Sequence, residues 1–275
     1  MGGMRLAVGD PNPSAPCKYH RPRGRPGTDP KPATRQHRRP LAMSRVGRLL
    51  DRGRALVAKA YPARSRRYGR WLRVSPREDL VRIGSEYGGW AIPERALSPG
   101  AVCYCGGIGL DISFDLGVIE RYGCTVHAFD PTPAAIRHAT AAAAGSPRFN
   151  LHPVGLWSSD CTMEIFEPAS GEEQYSVADR GRTGRSIEAE FRAIPSLMSE
   201  LGHDHIDVLK LDIEGAEYEV IDSLIGNQIP VTVLCVEFHT TPSIEPMKHA
   251  TSRLRQTGLE PVHQERGFDV TFARR

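Results

Sequence analysis

The chain has 275 residues, 40% hydrophobic and 25% charged, the balance of an ordinary globular protein with one large domain or two small ones. No apolar run approaches the roughly 20 residues that cross a bilayer, and MGGMRLAVGDPNP is too short of apolar residues for a secretory leader. Charge is uneven: residues 1–77 hold 20 Lys/Arg against 3 Asp/Glu, a net +17, and residues 78–275 hold 16 against 29, a net −13.

Residues 1–42 are rich in proline and poor in large aliphatics, so they cannot bury enough apolar area to offset ordering. They are expected to be a disordered basic tail, or the product of an upstream start with Met43 as the true first residue. Over 43–77 a basic accessory segment is expected. Val46, Leu49, Leu50, Gly53 and Val57 form one helical stripe over 44–60, with arginines opposite.

From 78 to 275 strands and helices alternate. Strands are predicted at 101–105, 124–129, 149–155, 206–211, 231–238, 260–266 and 269–274, with a hairpin strand at 161–167. Helices are predicted at 111–122, 133–144, 194–202, 216–226 and 245–257, and a loop at 169–186. This succession implies an α/β domain: a parallel sheet with helices on both faces and an antiparallel C-terminal edge. Six cysteines are too few for a disulfide scaffold, and a reduced, cytoplasmic setting is expected. Cys103 and Cys105 read as small core residues rather than zinc ligands.

Open α/β sheets bind ligands beyond the carboxyl ends of their strands. The first such end is Cys105-Gly106-Gly107-Ile108-Gly109, where glycine permits a sharp turn and close approach. The G-x-G-x-x-G pattern fails, because Ile112 stands at its third position. The next predicted strand ends in Asp130, placed to accept from both ribose hydroxyls or to cap the helix that follows.

Taken together, Gly107-Ile108-Gly109, the run from Tyr122 to Pro131, and Leu209-Lys210-Leu211-Asp212-Ile213-Glu214-Gly215-Ala216-Glu217 resemble the FkbM family of S-adenosylmethionine-dependent methyltransferases, over roughly 80–275. Tyr87-Gly88-Gly89-Trp90 resembles one branch of it. The resemblance implies a seven-stranded Rossmann-like methyltransferase sheet and methylation of a hydroxyl on a small molecule, natural product or sugar. It implies that Gly107 and Gly109 line the methionine part of S-adenosylmethionine and that Asp130 holds the ribose. Many relatives carry an acid in the first motif. Here the strand reads Cys103-Tyr104-Cys105-Gly106, and the nearest acid, Asp111, follows the glycines and is a further candidate for binding the cofactor.

Methyl transfer to a hydroxyl needs alignment and a proton acceptor. Two predicted strand ends offer such groups, Asp212 with Glu214 and Glu237 with His239. His239 or Asp212 is expected as general base, with Glu237 orienting it or the substrate. Asp212 also borders the expected cofactor site. Tyr87, Trp90 and Glu214 are candidates for contacting substrate, whereas Glu217 and Glu219, at a helix start, are expected to be structural. Asp212, Glu237 and His239 are also an oxygen and nitrogen set fit for Mg²⁺ or Mn²⁺. The acidic body and the absence of an Asn/Asp-Pro-Pro-Tyr segment at the fourth strand end argue against a nucleic-acid partner. Two alternatives stand beside the methyltransferase: an RNA-binding or nucleic-acid-methylating protein that uses the basic N-terminus, and a catalytically silent nucleoside-binding module.

Overall fold

The computed structural model describes residues 65–167, 186–239, 243–265 and 267–274. The tail at 1–42, the helix expected over 44–60 and all but the last residue of the loop at 169–186 lie outside them. A helix over 65–72 (α1) opens the described chain. Its Tyr68 and Leu72 are wholly buried in the main core, which therefore takes in residues upstream of 78.

The seven-stranded sheet expected from the sequence forms. β3 (Val102–Gly106) lies inside it, flanked on one side by β4 (Thr125–Phe129) and β5 (Phe149–His152). On the other side follow β9 (Ile206–Leu211), β10 (Val231–Glu237), β12 (Asp269–Arg274) and β11 (Leu259–Glu265). The strands from β5 through β10 are parallel, and β12 runs antiparallel to both of its neighbours. Growth from β3 to β5 proceeds one way, and from β9 it proceeds the other. The carboxyl ends of β3 and β9 therefore border the topological switch point, where open α/β sheets leave a crevice.

Both faces are covered, which is why β3 and β10 are almost wholly apolar. One face carries α1, α4 (Ile194–Leu201), α5 (Glu217–Gly226) and α6 (Glu245–Gln256), packed on Leu209, Leu211, Leu234 and Val236. The other carries α2 (Ser113–Tyr122), α3 (Pro133–Ala142) and a hairpin, packed on Cys103, Cys105, Val208 and Val233.

Several boundaries differ from the expected ones for local reasons. α2 starts at Ser113 rather than 111, because Asp111 stays outside and its Oδ1 accepts from the Ser113 N–H at 2.9 Å. The single strand expected over 149–155 is broken at Pro153, which has no N–H to give. The chain beyond it, β6 (Gly155–Trp157), leaves for a separate sheet of order β6-β8-β7, with β7 (Cys161–Phe166) and β8 (Ser186–Ala193). β8 was not expected, nor was the hairpin of β1 (Leu80–Ile83) and β2 (Trp90–Pro93). Cys103, Cys105, Cys124 and Cys235 are free and buried. Among the described residues no helix is long and apolar enough to cross a membrane.

Candidate functional site

The glycine turn after β3 is built against the end of β9. Gly107 has φ +71, and a Cβ on it would lie 1.7 Å from the Asp212 carbonyl oxygen. Its N–H donates to the Phe129 carbonyl at 2.9 Å, and its carbonyl accepts from Lys210 Nζ at 2.6 Å. Gly109, with φ +52, has nothing within 4 Å of where a Cβ would stand. The turn is thus packed on its β9 side and open at Gly109, a shape that fits a ligand approaching the backbone closely.

Asp130 sits where expected, at the end of β4, and is buried. Its Oδ2 accepts from the Ile108 and Gly109 N–H groups at 3.1 and 3.2 Å, and its Oδ1 from the Thr132 N–H and hydroxyl at 2.9 and 2.6 Å. These four bonds fill the acceptor capacity of a carboxylate. Asp130 ties the glycine turn to the start of α3, and a ribose hydroxyl would have to replace one of these donors.

Asp111 is similarly engaged. Its Oδ2 accepts from the Ser85 hydroxyl at 2.5 Å. Burial alone would raise its pKa, but the bonds from Ser113, Ser85 and the Gly88 N–H outweigh burial and hold it below the usual carboxylate value. Asp111 thereby pins the β1–β2 hairpin to the start of α2. Tyr87, at the hairpin tip, is 72% exposed. Trp90 is a correction: at 3% exposed, it lies in the core beneath the hairpin rather than along a substrate crevice.

The ends of β9 and β10, neighbours as expected, bring the remaining candidates together. Asp212, Glu237 and His239 each offer one ligand atom, and these atoms lie within 4.8 Å of one another. Burial, followed by repulsion from Asp212 and from Asp269 across the ladder, pushes the Glu237 pKa up to about 8, which favours its protonated form. Burial would lower the pKa of His239, yet its bonds to Glu214 and Glu217 raise it well above 6.5. A ring held in this way keeps its proton more firmly than an ordinary histidine, which weighs against His239 as the general base. Asp212, its carboxylate about one third exposed, is open to an incoming group. The set also has the donor chemistry for a divalent cation, provided His239 gives up its Nε2 proton.

Two residues escaped the sequence reading. Lys210, inside β9 and almost wholly buried, lies 3.7 Å from Asp212. Burial disfavours its charge, but Asp212 and Asp115 hold its pKa above the usual value. Glu217, expected to be only structural, has its Oε1 at 2.8 Å from His239 Nδ1 while also accepting from the Ile213 and Gly215 N–H groups at 3.1 Å each. A helix start is explanation enough for Glu217 in the sequence, and nothing there marks it as facing a histidine. A hollow of about 250 Å³ between α5 and α6 lies at the opposite ends of the strands and has Arg274 as its one charged lining residue, so the chemistry lies elsewhere.

The sequence matches the family described as the methyltransferase FkbM domain over residues 108–269. It is 29% identical over 125 residues to the probable methyltransferase-like protein 24 of Rattus norvegicus, covering 44% of this chain and 28% of that protein. Against the Homo sapiens protein of the same description it is 28% identical over 122 residues, covering 44% and 27%. The match thus spans little more than a quarter of these curated relatives. Among solved structures, the Methanococcus jannaschii fibrillarin pre-rRNA processing protein aligns with TM-score 0.39 at 13% identity, covering 64% of this chain and 66% of that one. The precorrin-6y C5,15-methyltransferase of Geobacter metallireducens aligns with TM-score 0.38 at 10% identity, covering 70% and 93%.

Proposed function

The chain belongs to the methyltransferase FkbM domain family, and on that premise we propose that it transfers a methyl group from S-adenosylmethionine to a hydroxyl oxygen of a small molecule, natural product or sugar. The observation that carries this reading is that the Gly107–Gly109 turn and the Asp212, Glu237 and His239 cluster meet at the carboxyl ends of β3, β9 and β10, beside the topological switch point. The cofactor supplies a methyl group activated by a sulfonium. The open side of the glycine turn would receive its methionine part, and the end of β4 its ribose.

Asp212 would take the hydroxyl proton as the oxygen attacks. Its carboxylate is about one third exposed and so faces an incoming acceptor. Protonated Glu237 beside it would orient the acceptor by donating, and the His239 imidazolium with Lys210 would keep the cluster from excess negative charge. Tyr87 and Glu214, at the rim, would contact the acceptor's outer parts. Asp111 would serve the cofactor indirectly, by holding the hairpin against the turn.

The mutual spacing of the three ligand atoms supports a second reading of the same cluster, in which a Mg²⁺-class cation holds the acceptor and neutral His239 is a ligand. Incubating the purified full chain with methyl-labelled cofactor and an extract of its source tests both. We expect label in a low-mass, hydroxyl-bearing product, and a chelator to abolish it only under the cation reading. Label confined to RNA, or saturable cofactor binding with no transfer to any fraction, would overturn the proposal.

A further inference from the structure

We infer that Glu217 is the residue that positions His239, locking its Nδ1 edge so that the Nε2 edge is presented to the acid-bearing loop after β9. This deepens, and rests on, the reading of the cluster as the reacting end of the crevice. Glu217 is the first residue of α5 and its side chain is fully buried. Helix-start acids ordinarily sit in solvent, where the dipole is reason enough for them, so burial of this one needs another cause.

That cause is visible in what its Oε1 holds. The oxygen accepts from the N–H groups of Ile213 and Gly215, the residues on either side of Glu214, and it faces His239 Nδ1 at 2.8 Å. Glu214 lies at φ +51 and Gly215 at φ +110, a backbone that a non-glycine residue adopts at a cost and only when its surroundings impose it. Here Glu217 imposes it. The same carboxylate therefore fixes the loop that carries Asp212 and Glu214 and the ring that follows β10. On the far side of that ring, Nε2 lies 3.4 Å from Glu214 Oε2. Tyr218 adds a second tie, its hydroxyl donating to the His239 carbonyl at 3.2 Å. A buried carboxylate on one imidazole nitrogen, with the other turned to the acid-bearing loop, is how a protein selects which nitrogen meets a substrate or an ion. Glu217 touches neither and is a positioning residue.

The test uses the full chain with ¹⁵N-labelled histidine, the His239 signals being assigned by their loss in His239→Asn. In the unaltered protein Nδ1 should carry a slowly exchanging proton. In Glu217→Gln, which keeps an oxygen for the two backbone donors but removes the charge, that proton should exchange faster. Methyl transfer to the active extract fraction should fall roughly 10- to 100-fold in kcat, with adenosylhomocysteine affinity unchanged. If the glutamine variant does not fold, Glu217→Asp keeps the charge but withdraws it from Nδ1, and the same proton signature is expected. An unprotonated Nδ1 in the unaltered protein, or a variant whose Nδ1 proton and kcat both match it, would overturn the inference. If that proton behaves as stated while no fraction accepts a methyl group, the positioning stands and the methyl-transfer reading fails.

Discussion

Gly107 and Asp212 are in backbone contact: the space a Cβ on Gly107 would need is already occupied by the Asp212 carbonyl. The glycine turn after β3 and the acid-bearing end of β9 are thus one unit. Gly107→Ala should cost more than about 3 kcal/mol, from overpacking against a carbonyl added to an unfavourable φ. Gly109→Ala, facing open space, should cost only about 1 kcal/mol while weakening adenosylhomocysteine binding. Urea denaturation and calorimetry check the pair, and equal small losses in stability would mean that the two strand ends are not packed as described.

Asp130 gives a second contrast. Because its carboxylate holds the Ile108 and Gly109 N–H groups, Asp130→Ala should lower the stability of the ligand-free protein by about 1–3 kcal/mol, the cost of buried donors left unpaired. A residue that served only the ribose would leave the ligand-free melting temperature unchanged and reduce affinity alone. Differential scanning calorimetry with and without adenosylhomocysteine separates the two.

Glu237 links stability to pH. Its folded pKa is raised to about 8 from 4.5, so between those values the unfolded chain gives up a proton that the folded chain keeps. The stability it contributes is fully present below about pH 4.5 and is lost as pH rises through about 8. Glu237→Gln stays neutral throughout. In chelator, its melting temperature should exceed that of the unaltered protein above pH 8, and the difference should shrink as the pH is lowered toward 5. A constant difference across that range would contradict the protonated Glu237.

On the α4 face, a run of rings slopes the opposite way. His127 meets His152 at 3.0 Å and lies 5.0 Å, centre to centre, from His203, which bonds the Tyr104 hydroxyl at 2.8 Å. Burial, then the neighbouring histidines, lowers the His127 pKa to about 4, and burial lowers those of His152 and His203. The stabilisation from His127 is present above about pH 6.5 and is lost as pH falls through about 4. His127→Phe keeps the stack but removes a titrating ring. It should be about 1 kcal/mol less stable at pH 7.5, for the lost hydrogen bond, and lose that disadvantage by pH 5. Parallel melting curves at all pH values would sink the idea.

The sheet was readable because apolar runs such as Val231–Glu237 are long enough to mark strands covered on both faces, and because each ends in polar residues. β8 escaped because its outward Glu188, Glu190 and Arg192 read as a continuation of the polar, glycine-bearing stretch before it, although Ile187, Ala189, Phe191 and Ala193 alternate with them. The β1–β2 hairpin escaped because each strand has four residues, too few for a period to show. At the site, the sequence named Asp212, Glu237 and His239 by their place at strand ends. It could not reveal that Asp130 and Asp111 spend their oxygens on the chain's own N–H and hydroxyl groups, nor that Glu217 turns inward. Those facts depend on which donors the loops bring near, and loop conformation has no periodicity to read.

β3 lies in the middle of the sheet and pairs with a strand that the ribosome makes much later. Lys210 and Gly107, which bond across the two strand ends, are 103 positions apart. Until β9 emerges, a nascent chain holding β3, β4 and β5 carries a bare apolar edge, the kind that invites pairing with another copy. The switch point is therefore closed late by a long-range event, which the order of the strands imposes on the folding chain.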